Sequence, residues 1–76
     1  MKKILITGVA GLLGANFSRH LLKKGYDVIG IDDLSGGYID NVPKDCQFHN
    51  FNLIDTEKVN KLFKDEKPDY VYHFAA

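Results

Sequence analysis

The amino-acid sequence predicts an α/β fold in which a four-stranded parallel sheet carries helices on both faces. The prediction depends on two observations. Apolar runs of strand length alternate with stretches of helical periodicity, and turn-forming residues separate them. Such alternation produces parallel strands joined by right-handed crossovers, which predicts the spatial strand order three, two, one, four.

The first strand is predicted over Lys3 to Thr7, a run of β-branched residues and leucine that ends at a glycine. From Leu13 the apolar spacing becomes helical. Gly25 is predicted to end this helix in a left-handed conformation, and a second apolar strand follows over Asp27 to Ile31. The predicted apolar face of the helix consists of Leu12, Leu13, Phe17, Leu21 and Leu22.

The connection after the second strand is rich in glycine and contains Pro43, so we predict at most one helical turn there. A third strand is predicted over Gln47 to Leu53, with Phe48 and Phe51 in the core. Asp55 or Thr56 can cap the second helix. That helix has the apolar face Val59, Leu62 and Phe63, ends before Pro68, and leads to a last strand over Tyr70 to Phe74.

Charge and cysteine content narrow the function classes. Ten Lys and Arg residues balance ten Asp and Glu residues, so no net field would attract nucleic acid or an anionic membrane. Cys46 is the only cysteine, which excludes an internal disulfide and leaves no cluster at metal-ligand spacing. No stretch approaches the roughly 20 apolar residues of a spanning helix. We expect no nucleic-acid partner, no membrane partner, no metal and a reduced, cytoplasmic setting.

A glycine-rich segment, Thr7-Gly8-Val9-Ala10-Gly11-Leu12-Leu13-Gly14, connects the first strand to the first helix. In this context Gly8 permits a tight turn, Gly11 lets the backbone approach a pyrophosphate, and Gly14 lets the helix pack closely on the sheet. The helix N-terminus would offer free N–H groups and its positive dipole end to phosphates. A tight turn without a ligand is the alternative interpretation.

Asp32 ends the second strand, roughly 20 residues beyond the glycine loop. A carboxylate at that place can accept hydrogen bonds from both ribose hydroxyls of an adenosine, and its charge would repel a 2′-phosphate. No Arg or Lys lies between Lys24 and Lys44 to bind such a phosphate. NAD is therefore favoured over NADP. The alternative, that a carboxylate here only starts a turn, suits Asp33 better than Asp32.

These residues resemble those of the extended short-chain dehydrogenase/reductase family, in particular its NAD-dependent nucleotide-sugar epimerases and dehydratases. Thr7 to Gly14 has the family's Thr-Gly-x-x-Gly-x-x-Gly spacing. The segment Asp32 to Gly37 is similar to its Asp-Asn-Leu-Ser-x-Gly, and Val71 to Ala76 is similar to its Val-x-His-x-Ala-Ala. The resemblance extends over nearly the whole chain and implies the N-terminal half of a Rossmann NAD-binding fold.

The resemblance also implies a binding site for NAD. The backbone of Leu12 and Leu13 would lie against the pyrophosphate, and the segment after the second strand would surround the adenosine ribose. The family usually has Asp near the adenine where this chain has Asn52, and Asn where it has Asp33. The Asn52 amide can still accept a hydrogen bond from the adenine amino group, and it can also donate one. The implied cofactor-binding residues are Gly8, Gly11, Leu12, Leu13, Gly14, Asp32, Asp33, Leu34, Ser35, Gly36, Asn52, Leu53, Phe74, Ala75 and Ala76.

The family's chemistry uses a Tyr-x-x-x-Lys pair, and no tyrosine of this chain is followed by lysine at that spacing. His73 and Cys46 are more simply explained as packing residues than as catalytic ones. We therefore predict one truncated NAD(P)-binding domain over residues 1–76 with no catalytic residues. The lobe that would bind a nucleotide-sugar in a full-length parent is not encoded here.

Three functions stay open at this point. In the first, the chain is the N-terminal segment of a nucleotide-sugar epimerase or dehydratase and is inactive by itself. In the second, it is a stand-alone nucleotide-binding or assembly module. In the third, it is an NAD sensor or reductase of the same fold. In a chain of this length the fourth strand would have an unpaired edge, which is a template for pairing with another chain. We expect self-association through this edge, retention by a partner, or partial unfolding.

Overall fold

A computed structural model describes residues 2–75 and shows a four-stranded parallel sheet with one α-helix on each face. Numbered along the chain, the strands lie in the spatial order three, two, one, four, and every pairing is parallel. The predicted fold class and strand order are therefore confirmed. The elements are β1 (Lys3–Thr7), α1 (Leu12–Lys23), β2 (Asp27–Asp32), one turn of 3-10 helix (Ile39–Asn41), β3 (Gln47–Asn50), α2 (Thr56–Glu66) and β4 (Tyr70–His73).

The core has two layers because successive residues of a strand point to opposite faces of the sheet. Burial of apolar side chains stabilises each helix on its own face. The cluster beneath α1 contains Ile4, Ile6, Val9, Leu21, Val28 and Cys46. The cluster beneath α2 contains Leu5, Ile29, Ile31 and Leu62.

Local sequence explains where α2 begins and ends. Asp55 is its N-cap, and the Asp55 side chain accepts a hydrogen bond from the Lys58 N–H at 3.2 Å. Lys67 ends the helix in a left-handed conformation with φ of 47°, directly before Pro68. The structure thus selects Asp55 from the two predicted caps. Gly25, with φ of 90°, follows α1 in the predicted left-handed conformation.

The first turn of α1 differs from the prediction. Leu12 and Leu13 were predicted on its apolar face, but their side chains are 74% and 71% exposed. The buried residues of this turn are Gly14 and Ala15. The helix approaches the glycine loop so closely that a Cβ atom at position 14 would overlap the Gly8 carbonyl group. This contact accepts only Gly14 and the small side chain of Ala15, and the leucines therefore lie on the outer side.

The strand ends also differ from the prediction. β3 ends at Asn50 rather than Leu53, because the chain turns where the Asp55 N–H donates to the Asn52 carbonyl at 2.9 Å. β4 ends at His73. Phe48 and Phe51 are half-buried rather than central in the core. No helix within residues 2–75 is long and apolar enough to cross a membrane.

We expect Gly14→Ala to lower the free energy of unfolding by about 2 kcal/mol, because the added methyl group forces α1 away from the glycine loop. Gly36→Ala is the matched control, since a Cβ atom there meets no other atom within 4 Å. That variant should stay within about 0.5 kcal/mol of the parent chain. Urea unfolding followed by circular dichroism measures both, and equal stability of the two variants would contradict the close packing of α1.

Candidate functional site

A cleft of about 330 Å³ opens at the carboxyl end of the parallel sheet. Segments that follow each of the four strands contribute to its walls. In open parallel sheets ligands bind at this end, where the connections from neighbouring strands leave to opposite faces. The lining residues are Gly8, Gly11, Ile31, Asp32, Asp33, Ser35, Gly36, Phe51, Asn52, Leu53, Phe74 and Ala75.

Most of the predicted cofactor-binding residues line this cleft. Gly14 is buried in the first turn of α1, against the Gly8 backbone. Leu34 has a left-handed backbone with φ of 65° and donates its N–H to Asp32. Leu12 and Leu13 form the first turn of α1. Ala76 lies outside the described residues.

Sequence reasoning missed two apolar residues of the cleft, Ile31 and Phe51. Each directly precedes a predicted polar residue, Asp32 or Asn52. Ile31 was predicted only as a strand residue and Phe51 only as a core residue. Their positions at strand ends were the available signal, because side chains at the carboxyl end of a parallel strand reach the edge where ligands bind.

Gly8 connects the glycine loop to the neighbouring strands. Its φ of 72° is left-handed, which favours glycine. A Cβ atom at this position would lie 2.7 Å from the Ala75 nitrogen, so the chain after β4 passes directly over it. The Gly8 N–H donates to the Ile31 carbonyl at 2.8 Å. The fold itself therefore requires glycine at position 8.

The N-terminus of α1 faces the cleft through Gly11, its N-cap residue. Within the described part of the chain no side chain caps this end, and no acidic residue lies in its first turn. The Ala15 N–H begins the helical ladder by donating to the Gly11 carbonyl at 2.9 Å. The earlier N–H groups and the positive end of the helix dipole are available to an anion.

The Asp32 carboxylate joins the loops that follow β1 and β2 at the cleft. Its Oδ2 accepts from the Ala10 N–H at 2.9 Å, and its Oδ1 accepts from the Leu34 N–H at 2.8 Å. The carboxylate is therefore fixed in one orientation. Each oxygen keeps a further lone pair for a ligand hydroxyl.

Asp33 and Asn52, at opposite loops of the cleft, bind each other. The Asn52 Nδ2 donates to the Asp33 Oδ2 at 2.8 Å. The Ser35 hydroxyl and N–H donate to the Asp33 Oδ1 at 2.7 Å and 3.0 Å. These hydrogen bonds, led by that of the Ser35 side chain, hold the pKa of Asp33 below its ordinary value. Asp33 is therefore a fixed negative charge at the cleft.

His73 and Thr7 connect β4 to β1 beside the cleft. The His73 Nδ1 lies 2.6 Å from the Thr7 Oγ1, and the Ala75 N–H lies 3.5 Å from the same oxygen. His73 thus makes a hydrogen bond between the ends of β4 and β1. The Thr7 hydroxyl therefore contacts both β4 and the segment after it, which contributes Ala75 to the wall of the cleft.

Cys46 lies in the core beneath α1, away from the cleft-lining residues. Burial raises the pKa of its thiol to about 11, because desolvation disfavours the thiolate. Among residues 2–75 no group of three or more His, Cys, Asp or Glu side chains is arranged to hold a metal ion.

Comparisons with known proteins agree with this geometry. The sequence profile of the NAD dependent epimerase/dehydratase family matches residues 4–76. UDP-glucose 4-epimerase of Lactobacillus helveticus is 40% identical over 74 residues, which cover 97% of this chain and 22% of that protein.

Two solved structures have nearly the same backbone. The Bordetella bronchiseptica enzyme WbmH, in complex with NAD+, has a TM-score of 0.94 and 36% identity, covering 100% of this chain and 26% of that one. UDP-glucose 4-epimerase of Thermotoga maritima, with UDP-glucose, has a TM-score of 0.95 and 36% identity, covering 97% and 24%.

The strand order, the glycine loop and these neighbours define a Rossmann-type fold. The chain belongs to the NAD-dependent epimerase/dehydratase family. It spans about a quarter of the length of the relatives that it matches.

We expect Asp32→Asn to lower the free energy of unfolding by about 2 kcal/mol. In the parent chain the N–H groups of Ala10 and Leu34 each donate to one carboxylate oxygen, and in the variant one of them would face the new amide nitrogen instead. Asp45→Asn makes the same chemical change at an exposed loop position and serves as the control. Amide hydrogen exchange should become faster at Ala10 and Leu34 in the first variant only. Unchanged exchange at both amides would show that the carboxylate does not hold the loops.

Proposed function

We propose that this chain is the NAD-binding segment of a nucleotide-sugar epimerase or dehydratase. Other parts of the whole protein would bind the sugar and supply the catalytic groups. Membership of the family supports this proposal, as do the NAD and UDP-glucose complexes of its structural neighbours. A reduced, cytoplasmic setting belongs to the same proposal, because Cys46 is a free buried thiol.

Two glycines of the cleft carry the proposal, because the fold itself does not require them. Gly11 has an ordinary φ of −78°, and a Cβ atom there would lie no closer than 3.4 Å to the Gly8 oxygen. A Cβ atom at Gly36 meets nothing within 4 Å. Both line the cleft. Glycine at such positions is explained by a ligand that lies directly against the backbone.

The uncapped N-terminus of α1 suits the pyrophosphate of NAD. Phosphate oxygens accept from backbone N–H groups and are attracted by the positive end of the helix dipole. The N–H groups of Leu12 and Leu13 follow Gly11 directly, and the exposed side chains of both residues lie away from the helix–sheet contact. The backbone of these residues is therefore the proposed pyrophosphate contact.

The acidic end of the cleft suits the ribose of an adenosine. Asp32 retains lone pairs for ribose hydroxyls, and Asp33 adds a second negative charge nearby. Among the described residues that line the cleft, none carries a positive charge. A 2′-phosphate would meet repulsion without a compensating cation, which favours NAD over NADP.

The remaining walls suit the two rings of the cofactor. Ile31, Phe51 and Leu53 give the adenine side an apolar surface, and Asn52 adds polar groups at its rim. Phe74 and Ala75 would flank the nicotinamide side. Bound NAD supplies an acceptor for hydride from the substrate. In this proposal the chain's own residues bind and orient the cofactor, and none of them is assigned a catalytic role.

We expect Gly11→Asp to separate folding from binding. Aspartate is a favoured N-cap and its charge suits the helix dipole, so the free energy of unfolding should rise by about 0.5 kcal/mol. NAD affinity should fall more than about tenfold, because the carboxylate repels the pyrophosphate and takes its N–H groups.

Asn16→Asp adds the same charge to an exposed position of α1 and should leave NAD affinity nearly unchanged. Binding is measured by calorimetry or NMR titration of the 76-residue chain, and stability by urea unfolding. Equal NAD affinity in the parent chain and in Gly11→Asp would show that the pyrophosphate does not bind at the N-terminus of α1.

The outer edge of β4 supports a separate proposal, self-association of the isolated chain. β4 pairs with β1 on one side, and among residues 2–75 no strand covers its other side. Tyr70, Val71, Tyr72 and Phe74 are 39–50% exposed. An unpaired edge flanked by apolar side chains favours pairing with a second copy.

Sedimentation of the 76-residue chain at several concentrations should therefore show reversible association. Val71→Lys should shift the equilibrium toward the monomer, because a charged side chain opposes pairing at a strand edge. Lys61→Arg, on the exposed surface of α2, preserves charge and is the control. A parent chain that stays monomeric, with strongly protected β4 amides, would refute this proposal.

A further inference from the structure

The hydrogen bonds around Asn52 fix the direction of its side-chain amide. The Nδ2 donates to the Asp33 Oδ2 at 2.8 Å, and the Oδ1 accepts from the Ile54 N–H at 3.0 Å. A reversed amide would place its oxygen against the carboxylate and its NH₂ group against the Ile54 N–H. Both contacts would then be repulsive, so only one direction is compatible with the neighbours.

Asp33 is itself held in place. Two hydrogen bonds from Ser35 occupy its Oδ1 and leave the Oδ2 for Asn52. Asn52 is exposed and lines the cleft. Its Nδ2 retains a second proton and its Oδ1 a second lone pair. The Asn52 amide thus keeps one donor and one acceptor for a ligand, in a fixed order.

An amide of fixed direction and an amide that can reverse differ in which purines they bind. Adenine presents an amino donor beside the N7 acceptor, which complements one acceptor and one donor of an amide. A 6-oxopurine presents two acceptors at the same edge, so it satisfies the amide NH₂ group but repels the amide oxygen. An amide that could reverse would adapt to the oxo group, and an amide that cannot would reject it.

We propose that Asp33 is a positioning residue that makes the cleft selective for adenine over 6-oxopurines, by fixing the direction of the Asn52 amide. This inference rests on the proposed function, since it concerns the base of the dinucleotide. Fixing the direction of the amide has a different effect from the negative charge of Asp33 or from its contribution to stability. Charge acts equally on two dinucleotides with the same phosphates and riboses, whereas the direction of an amide changes their ratio.

The test compares NAD with nicotinamide hypoxanthine dinucleotide in NMR titrations of the isotope-labelled chain. The parent chain should bind NAD about tenfold more tightly. Asp33→Asn should reduce this preference to about threefold or less, because the new amide NH₂ faces the Asn52 NH₂ and favours reversal of Asn52. Asp40→Asn removes the same charge from an exposed position in the same connection and should keep the tenfold preference.

Exchanging the two residues provides a rescue. In Asp33→Asn with Asn52→Asp, the amide at position 33 can donate to the carboxylate at position 52. That carboxylate only accepts, so it should restore rejection of the 6-oxopurine. The ratio of the two dissociation constants should return to about tenfold. If the pair only stabilised the fold, the exchange would restore the free energy of unfolding but would not restore this ratio.

A readout without ligand accompanies the titrations. The side-chain amide resonances of Asn52 should shift as Asp33 is protonated, and the pKa of Asp33 lies below its usual 3.8 because of the Ser35 hydrogen bonds. A parent chain that binds neither dinucleotide would overturn the proposed function and this inference with it. Equal binding of both dinucleotides, an unchanged ratio in Asp33→Asn, or amide resonances insensitive to Asp33 would overturn this inference alone.

Discussion

The loops that follow β1 and β2 are joined through one carboxylate, and the shape of the cleft depends on this junction. Asp32 accepts from Ala10 on one side and from Leu34 on the other. The Ala10 carbonyl in turn accepts from the Tyr38 N–H at 3.2 Å and from the Asn41 Nδ2 at 3.0 Å. The Ala10 N–H is therefore bonded to the end of β2, and the Ala10 carbonyl is bonded to the β2–β3 connection. A ligand would enter a site whose two loops already hold each other.

The glycines around the cleft meet two separate requirements. Gly8 and Gly14 are required by the fold, because backbone atoms occupy the space where their side chains would lie. Gly11 and Gly36 have room for a Cβ atom within the protein, and both face the cleft. A glycine motif recognised in a sequence thus contains positions that specify packing and positions that a ligand explains. The distinction needs coordinates, because spacing alone treats all of them alike.

The sequence was sufficient where the signal is local. Apolar runs and turn residues predicted all four strands, their order and the two helices. Leu12 and Leu13 were assigned to the buried face, because periodicity does not reveal how closely α1 approaches the Gly8 backbone. Asp33 and Asn52 each looked like an isolated departure from a family pattern. They are 19 positions apart, and only the fold shows that the two departures form one hydrogen bond.

In the proposed site the adenosine and pyrophosphate of NAD lie between the N-terminus of α1 and Asp32. The most direct measurement is a set of intermolecular nuclear Overhauser effects between NAD and the isotope-labelled chain. Ribose protons of the adenosine should contact the segment from Asp32 to Gly36, and amide shifts should concentrate at Gly11 to Gly14. Contacts centred instead on the cleft between β3 and α2, which His49, Lys58 and Lys61 line, would show that NAD does not occupy the proposed site.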